Sequence, residues 1–320
     1  MSALLGRGKG GLAMLCLAGV AALIVSTRAA KGVDEPKKRS PAPNSLCGGA
    51  AASGDGLVFE TTSAFSHFYV RDEGARRSLL FRRDSGEIVL ETSVDCAAPY
   101  HLLIGYTRVM FASHFFVPKP KSALLVGLGG GAMVHFMAHY TPETRVDVVE
   151  IDSAIVKAAK DFFGVKEGGH TRIITEDAFK FFGRGSNRYD VIYMDAFLKP
   201  SGDTDATGVP VRLKTEAFLR TVQQRLNPDG VVVWNLNGHE AIGEDVRAIQ
   251  KTFAQTYYFR VPGDDNHVVV GSTSSKRVSR AAMESIGATI DKRLRADFSF
   301  AQLAQLLSDR MVGSAASGLR

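Results

Sequence analysis

The chain contains 320 residues, of which 45% are hydrophobic and 22% charged, an ordinary composition for a globular protein with a substantial core. Its formal net charge of +6 arises mainly from residues 1–40, which hold seven basic and two acidic residues, so the rest of the chain is nearly neutral. Bulk charge therefore gives no support for nucleic-acid binding, and we expect no nucleic-acid partner.

An apolar, uncharged segment spans residues 11–25, and Arg7 and Lys9 precede it. The segment is typical of a signal peptide or a short signal anchor, because it falls below the roughly 20 residues of a comfortable transmembrane helix. We assign residues 1–26 to this leader, which predicts export or membrane anchoring with membrane contact through residues 11–25. The alternative is a disordered tail or a mispredicted start on a cytoplasmic protein. Residues 27–55, rich in Lys, Pro, Ser, Gly and Ala, are typical of a flexible linker.

The chain has three cysteines, of which Cys16 lies in the leader. Cys47 and Cys96 could pair if the protein is exported, but the sequence leaves this open. Neither belongs to a CxxC motif or lies near a histidine cluster at metal-binding spacing, so we predict no metal site.

Residues 56–98 carry short strand-like segments separated by turns. The segments are LVFETT, HFYVR, RSLLFR and EIVLET. This pattern predicts a small antiparallel sheet of about four strands. Apolar residues at helical spacing over residues 100–116 predict a helix that packs on the next part of the chain.

Strand-like and helical segments alternate from residue 122 onward. The strand-like segments are SALLVG, RVDVVEI, TRIIT, YDVIYMD and GVVVWNL, followed by YYFRV and HVVVGS. The alternation predicts an α/β, Rossmann-like domain over residues 99–273, with a mostly parallel seven-stranded sheet covered by helices and a closing hairpin at its edge. We expect residues 274–320 to form a peripheral helical segment.

A glycine-rich turn follows the first strand of this domain, in the sequence ALLVGLGGGA. Gly127, Gly129, Gly130 and Gly131 lack a Cβ, so the backbone can turn tightly and approach a ligand closely. Glu150 ends the next strand, where it can accept hydrogen bonds from ribose hydroxyls at the carboxyl edge of the sheet. This order of strand, glycines, helix and carboxylate predicts a nucleoside pocket, and the alternative is a purely structural turn.

Carboxylates also follow the third and fourth strands. In Glu176-Asp177-Ala178, a carboxylate can accept a hydrogen bond from an adenine amino group, and Asp177 can equally cap the following helix. Asp195 ends the fourth strand, where it can accept a proton from an attacking nucleophile, although a solvated strand-end Asp is the alternative.

Two further features are candidates for the pocket. Tyr100 and His101 precede the strand that leads into the glycine turn, and they could line the pocket. A lone His, however, is more often packed or solvated. The polar loop at residues 199–210 directly follows the Asp195 strand end and is placed to act as a lid, unless it is an ordinary surface loop.

These features resemble the spermidine synthase (polyamine aminopropyltransferase) family, and the chain looks like a divergent member on the class I S-adenosylmethionine-dependent methyltransferase fold. The resemblance covers about residues 58–272. It is carried by the N-terminal sheet, PYH, the glycine-rich strand end, VEID, the D-x-F helix start, YDVIYMD and the lid.

The resemblance implies a co-substrate and a role for each matching residue. Gly127, Gly129 and Gly131 would hold the nucleoside's amino-acid-derived tail, Glu150 the ribose and Asp177 the adenine, while Asp195 would receive the amine's proton. The co-substrate would be S-adenosylmethionine or its decarboxylated form, and the second substrate a small-molecule amine or another nucleophile. A homodimer is expected by the same resemblance.

Three positions depart from the family pattern. Ala132 stands where the family usually has Asp after the glycines, Leu198 replaces the second Asp of D-x-x-D, and Leu102 replaces the acidic residue after Tyr-His. Each ammonium group of a diamine needs a carboxylate partner when desolvated, because an unpaired buried charge costs several kcal/mol. The nucleoside half of the site therefore matches the family better than the amine half. Leu198 is assigned to the substrate pocket of the amine half.

The sequence leaves three hypotheses. The chain is an aminopropyltransferase with an altered or larger amine substrate, or a methyltransferase that uses intact S-adenosylmethionine. The absence of an acid at Ala132 is compatible with the second hypothesis. A methyl donor keeps its carboxylate, which an acidic side chain at this position would repel. The third hypothesis is a non-catalytic, membrane-anchored binding protein.

Overall fold

The computed structural model describes residue 47, residues 56–198 and residues 201–308. The predicted leader, most of the predicted linker and the last residues of the chain lie outside this part. Within it, a small antiparallel sheet precedes a larger α/β unit, as the sequence predicts.

The N-terminal sheet is a four-stranded antiparallel meander in the order β1-β2-β3-β4. Its strands are β1 (Gly56–Thr62), β2 (His67–Glu73), β3 (Arg76–Arg82) and β4 (Ile88–Asp95). Phe68 and Val70 of β2 and Leu79 of β3 are fully buried, so one face of this sheet packs into the main core.

The larger sheet has the strand order β12-β10-β11-β9-β8-β5-β6-β7. Its strands are β5 (Ser122–Val126), β6 (Arg145–Glu150), β7 (Thr171–Thr175), β8 (Tyr189–Met194), β9 (Leu226–Asn237), β10 (Gln255–Arg260), β11 (Asn266–Ser272) and β12 (Leu307–Ser308). Strands β5 to β9 pair with one another in parallel, whereas β11 pairs antiparallel with both β9 and β10, and β12 pairs antiparallel with β10. All seven predicted strands are present, and the two-residue β12 adds an eighth outside the predicted closing hairpin.

Helices cover both faces of this sheet, each face packing against its own apolar cluster. The helices are α1 (Gly105–Met110), α2 (Ala132–Tyr140), α3 (Ser153–Phe163), α4 (Ala178–Arg184), α5 (Glu216–Gln224), α6 (Ile242–Thr252), α7 (Arg280–Leu294) and α8 (Phe300–Leu303). Of the helices in the described ranges, none is long and apolar enough to cross a membrane.

The helix predicted over residues 100–116 is shorter than expected. Residues 100–104 form a turn, and Ile104 keeps an extended backbone before α1 begins. The Arg108 guanidinium donates a hydrogen bond to the carbonyl of Leu102 at 2.6 Å, and this bond stabilises the non-helical conformation of the turn. After Met110 the chain continues as a 3₁₀ helix over Phe111–Phe115.

Polar contacts attach the N-terminal sheet to the larger unit. The buried Arg77 guanidinium donates to both carboxylate oxygens of Asp72, at 2.7 and 2.9 Å, and to the carbonyl of Phe162 at 2.6 Å. In the turn between β1 and β2, the hydroxyls of Ser63 and Ser66 donate to Asp152 at 2.5 and 3.0 Å. Both sheets are therefore joined by buried polar contacts beside the glycine turn.

Cys47 and Cys96 form a disulfide across a sequence separation of 49 residues. The bond ties the chain that precedes β1 to the end of β4, so the pairing that the sequence left open is present.

The strand order reverses between β5 and β8. From β5 the chain crosses to β6 on one side, whereas β8 lies on the other side, with Val126 beside Met194. Ligands of open α/β sheets bind in the crevice beyond the carboxyl ends of the strands at such a switch point. Gly127 and Asp195 are the residues that directly follow these two strands.

Candidate active site

A cleft of about 890 Å³, partly open to solvent, lies at this switch point. Its walls come from the carboxyl ends of the larger sheet, from the N-terminal sheet and from the segment after β8. Of the predicted site residues, those that line it are Gly127, Gly129, Glu150, Asp177, Ala178, Asp195 and Leu198.

Gly127 and Gly129 occupy positions that a side chain would obstruct. Both have positive φ, 96° and 53°. A Cβ on Gly127 would lie 2.0 Å from the carbonyl oxygen of Asp195, and one on Gly129 would lie 2.6 Å from the Thr92 hydroxyl. The two glycines therefore keep the floor of the cleft open and allow close approach to backbone.

Gly130 and Gly131, unlike Gly127 and Gly129, are not among the described residues that line the cleft. The Gly130 amide donates to the Thr92 hydroxyl at 2.9 Å, so it faces β4. Gly131 has a φ of 77° at the start of α2, and a Cβ there would lie 2.3 Å from Val165. These two glycines shape the turn rather than the pocket.

Glu150 is 9% exposed at the end of β6 and lines the cleft. Its carboxylate accepts hydrogen bonds from the amides of Leu128 and Asp152, both at 2.9 Å. Burial raises the pKa of Glu150 to about 7, although these amide bonds lower it. The carboxylate is thus fixed across the glycine turn, where a ribose could meet it.

Asp177 caps α4 and also lines the cleft, so the adenine role weighed for it stays a prediction. One oxygen caps α4 by accepting from the Phe179 amide at 2.8 Å, and the residue also lines the cleft. The second oxygen accepts from the Arg212 guanidinium at 2.5 Å, and Arg212 also lies over the Phe179 ring. Asp177 therefore attaches the segment after the predicted lid to this end of the cleft.

Asp195 lines the cleft between two hydrogen-bond donors. One of its oxygens accepts from the Asn235 amide at 2.9 Å, and the other from the Tyr106 hydroxyl at 3.3 Å. Burial raises the pKa of Asp195 to about 6, while these two bonds lower it. A carboxylate that titrates near neutrality and is held in one orientation is suited to accept a proton.

A second carboxylate of the site, Glu91 on β4, was not among the residues predicted from the sequence. Glu91 lines the cleft, and its pKa is raised to about 7 by burial first and then by the negative charge of Asp195. Arg83 opposes this shift. The one indication in the sequence was a charged residue inside the apolar strand segment EIVLET.

Tyr100 and His101, the candidates for the substrate pocket, are not among the described residues that line the cleft. The Tyr100 ring stacks on His139 near the end of α2, with centroids 3.7 Å apart, and also contacts His101 edge-on. Because α1 begins only at Gly105, it is Tyr106 that faces Asp195.

A smaller side cavity opens beside the glycine turn. Among its lining residues are Glu91, Tyr106, Gly127, Ala132, Met133 and Asp195. It contains two carboxylates, and none of the described residues that line it is basic.

The loop at residues 199–210, the predicted lid, contributes Pro210 to the lining of the cleft, and Leu213 lines it just beyond the loop. Lys199 and Pro200 lie outside the described residues. The Leu198 amide donates to the carbonyl of Gly208 at 2.8 Å, which folds the loop back on itself.

A charged cluster lies beneath this loop. Asp205, His239 and Asp245 are close enough together to ligate a metal ion. The Lys214 ammonium contacts Asp205 and Asp245 and lies 3.2 Å from the His239 ring, so it offsets one of the two carboxylate charges. The cluster anchors the loop to α6, and the absence of a metal site stays a prediction.

Residues 104–265, just over half of the chain, match the family model described as the spermine/spermidine synthase domain. The chain belongs to the spermine/spermidine synthase family. Family membership agrees with the antiparallel sheet that precedes the α/β unit, the feature on which the resemblance depended.

Relatives of this family member include two kinds of transferase. A polyamine aminopropyltransferase of Vibrio vulnificus is 28% identical over 232 residues, which cover 71% of this chain and 75% of that protein. The eEF1A lysine and N-terminal methyltransferase of Mus musculus is 24% identical over 186 residues, 56% of this chain but only 26% of that protein.

The fold agrees with a solved structure of a probable spermidine synthase from Corynebacterium glutamicum. That structure aligns with a TM-score of 0.60 at 17% identity, covering 82% of this chain and 99% of its own. At 17% sequence identity, this structural similarity supports the fold alone.

The departures from the spermine/spermidine synthase pattern can now be located. Ala132 borders the side cavity, Leu198 lines the cleft, and Leu102 is fully buried among apolar residues. The substitution at Leu102 thus belongs to the core, whereas those at Ala132 and Leu198 change the lining of the site.

Proposed function

We propose that this spermine/spermidine synthase family member transfers an aminopropyl group from decarboxylated S-adenosylmethionine to an amine. The carrying observation is the pair of carboxylates, Glu91 and Asp195, in a side cavity whose described lining has no basic residue. Both known kinds of relative are transferases, so the choice concerns the group transferred.

The nucleoside part of the donor fits the cleft from the glycine turn outward. Glu150 is available to the ribose, and Asp177 with Ala178 lies at the far end for the adenine. This pose directs the donor's tail past Gly127 into the side cavity.

The charge of the side cavity then distinguishes the two donors. The tail of the decarboxylated donor ends in an ammonium group and carries no carboxylate, and Glu91 stabilises this ammonium group. Glu91 of β4 thereby takes the role of the Asp that the family usually carries at the position of Ala132. Intact S-adenosylmethionine adds a carboxylate that would face two negative charges without a basic partner among the described residues.

The reaction would be a displacement at carbon. The amine nitrogen attacks the methylene carbon bonded to the sulfonium, the carbon–sulfur bond breaks, and its electron pair stays on sulfur in methylthioadenosine. The new ammonium loses its proton to Asp195, which Tyr106 and Asn235 hold in place. Holding both substrates in line supplies most of the rate, and proton acceptance supplies a further part.

Methyl transfer is the second candidate, and the observation that favours it is the uncharged Ala132 at the tail. Donor binding separates the hypotheses. The full chain is titrated calorimetrically with decarboxylated S-adenosylmethionine, S-adenosylmethionine and methylthioadenosine. We expect the decarboxylated form to bind at least about tenfold more tightly than either other ligand. Preference for the carboxylated form would favour methyl transfer, and binding of none of the three would contradict both enzyme hypotheses.

We also propose that the protein is exported or anchored through residues 11–25. The disulfide between Cys47 and Cys96 supports this, because structural disulfides persist mainly in oxidising compartments. Fractionation of cells that express the full chain tests the proposal: recovery in the soluble cytoplasm with both thiols free would contradict it.

A further inference from the structure

Beyond Glu91, the cleft continues into an outer cavity under the predicted lid. Phe81 and Val89 of the N-terminal sheet and Phe197 and Leu198 after β8 provide its apolar walls. Among the described residues that border it, Glu91 is the single carboxylate. A substrate that enters here to reach Asp195 would lie with its body against apolar side chains.

The ionisable side chains that border this outer cavity are mainly basic residue types. Arg83 borders it, is ion-paired with Glu87 at 3.0 Å and lies close enough to Glu91 to lower the pKa of that carboxyl. His67 also borders it and contacts Glu60 at 2.9 Å. A second positive charge at the far end of a substrate would therefore meet a guanidinium rather than a free carboxylate.

The carboxylates of the site can be matched to the nitrogens that need them. The donor's ammonium group takes Glu91, and the reacting amine takes Asp195. The distal ammonium of a diamine would find no second carboxylate among the described residues that border the outer cavity, because Leu198 stands where the family carries a second Asp, three residues after Asp195. A desolvated ammonium without a counter-ion binds poorly.

We propose that the acceptor is a monoamine on an apolar body, such as an alkylamine, and not a diamine. This inference rests on the proposed aminopropyl transfer, since it assigns Glu91 to the donor. It defines the acceptor by the lining of the outer cavity: a CH₃ group can lie against apolar side chains such as Phe81 and Leu198, whereas a desolvated NH₃⁺ group needs a counter-ion.

The test compares two amines of equal length, 1-aminopentane and 1,4-diaminobutane, which differ by CH₃ in place of NH₃⁺. The full chain is saturated with decarboxylated S-adenosylhomocysteine, an unreactive thioether that keeps the donor's ammonium group beside Glu91, and the affinity of each amine is measured by calorimetry. We expect 1-aminopentane to bind at least about tenfold more tightly. Equal or tighter binding of the diamine, or no binding of either amine to the loaded protein, would overturn the proposal.

Substitutions at Leu198 add a matched pair of variants. Leu198→Asp should shift the preference toward the diamine by at least about tenfold, and Leu198→Asn, similar in size but uncharged, should not. An unchanged ratio in a folded Leu198→Asp protein would also overturn the proposal. Donor titrations in the absence of amine distinguish failure of this inference from failure of the proposed function. If the donor does not bind, the proposed aminopropyl transfer is wrong. If the donor binds and the diamine is preferred, only the assignment of the acceptor is wrong.

Discussion

Replacing Glu91 by Gln tests the electrostatics of the donor site most directly. Glu91 and Asp195 border the same side cavity, and the negative charge of Asp195 raises the pKa of Glu91. Gln keeps the size of the side chain and its hydrogen-bonding capacity but removes its charge. The substitution should therefore weaken binding of an ammonium-bearing donor without changing the nucleoside contacts at Glu150.

The size of the effect can be worked from Coulomb's law. Two unit charges about 4 Å apart interact by about 4 kcal/mol at an effective dielectric constant of ~20. Because Asp195 stays in the cavity and continues to attract the ammonium group, we expect a loss of roughly half of this. About 2 kcal/mol corresponds to an approximately 30-fold weaker affinity for decarboxylated S-adenosylmethionine. Measurement at pH 8, above the pKa of about 7 for Glu91, ensures that the wild-type carboxyl is charged.

Calorimetry on three ligands gives the answer and its controls. Methylthioadenosine, which lacks the ammonium group, should bind both proteins within about twofold, and intact S-adenosylmethionine should bind the variant somewhat better. Glu87→Gln is the matched control, because Glu87 is an exposed carboxylate of the same β3–β4 hairpin. Equal weakening of all three ligands would show that Glu91 supports the fold rather than the tail, and unchanged affinities would refute the reasoning.

Two other predictions concern Asp195 and the disulfide. Asp195→Asn should lower kcat by a factor of about 10² to 10⁴ with little change in the affinity for methylthioadenosine. The kcat/KM of the wild-type protein should rise as the pH increases through about 6, because the Asp195 carboxyl ionises there. Stopped assays with decarboxylated S-adenosylmethionine from pH 5 to 7.5 check this, and a flat profile or a fully active variant would remove Asp195 from the role of proton acceptor. Reducing the bond between Cys47 and Cys96, which spans 49 residues, should lower the free energy of unfolding by about 4 kcal/mol. Urea unfolding with and without reductant measures the difference, and a change below about 1 kcal/mol would contradict it.

The strand-end residues of the site could be predicted from the sequence because local pattern fixes their place. Parallel strands end at one edge of a sheet, so a carboxylate directly after a buried strand must reach that edge. Glu150, Asp177 and Asp195 each lie at or just after the end of such a strand, and all three line the cleft. The same pattern marks glycines but does not tell which face the ligand, and of the four predicted only Gly127 and Gly129 line the cleft.

Glu91 and Tyr106 could not be found in this way. Each contacts or influences Asp195 from about 90 to 100 residues away in sequence, through the docking of the N-terminal sheet and α1. In β4, Ile88 and Leu90 are exposed while Glu91 turns inward, so the hydrophobic pattern gives the opposite orientation. Tyr100 resembled the family residue in sequence, but the turn before α1 removes it from the cleft. Tertiary packing, which no short window encodes, decides these positions.

The hydrogen bond from the Gly130 amide to the Thr92 hydroxyl has a consequence for how specificity could be transplanted. β4 carries Thr92, which supports the glycine turn, next to Glu91, which we propose for the donor's tail, while Glu150 and Asp177, proposed for the nucleoside, belong to the larger α/β unit. Exchanging the β3–β4 hairpin between relatives, with Thr92 retained, should therefore swap the choice of donor tail and amine without rebuilding the nucleoside site. A chain that starts after this hairpin would keep its larger sheet but lose one wall of its own active site.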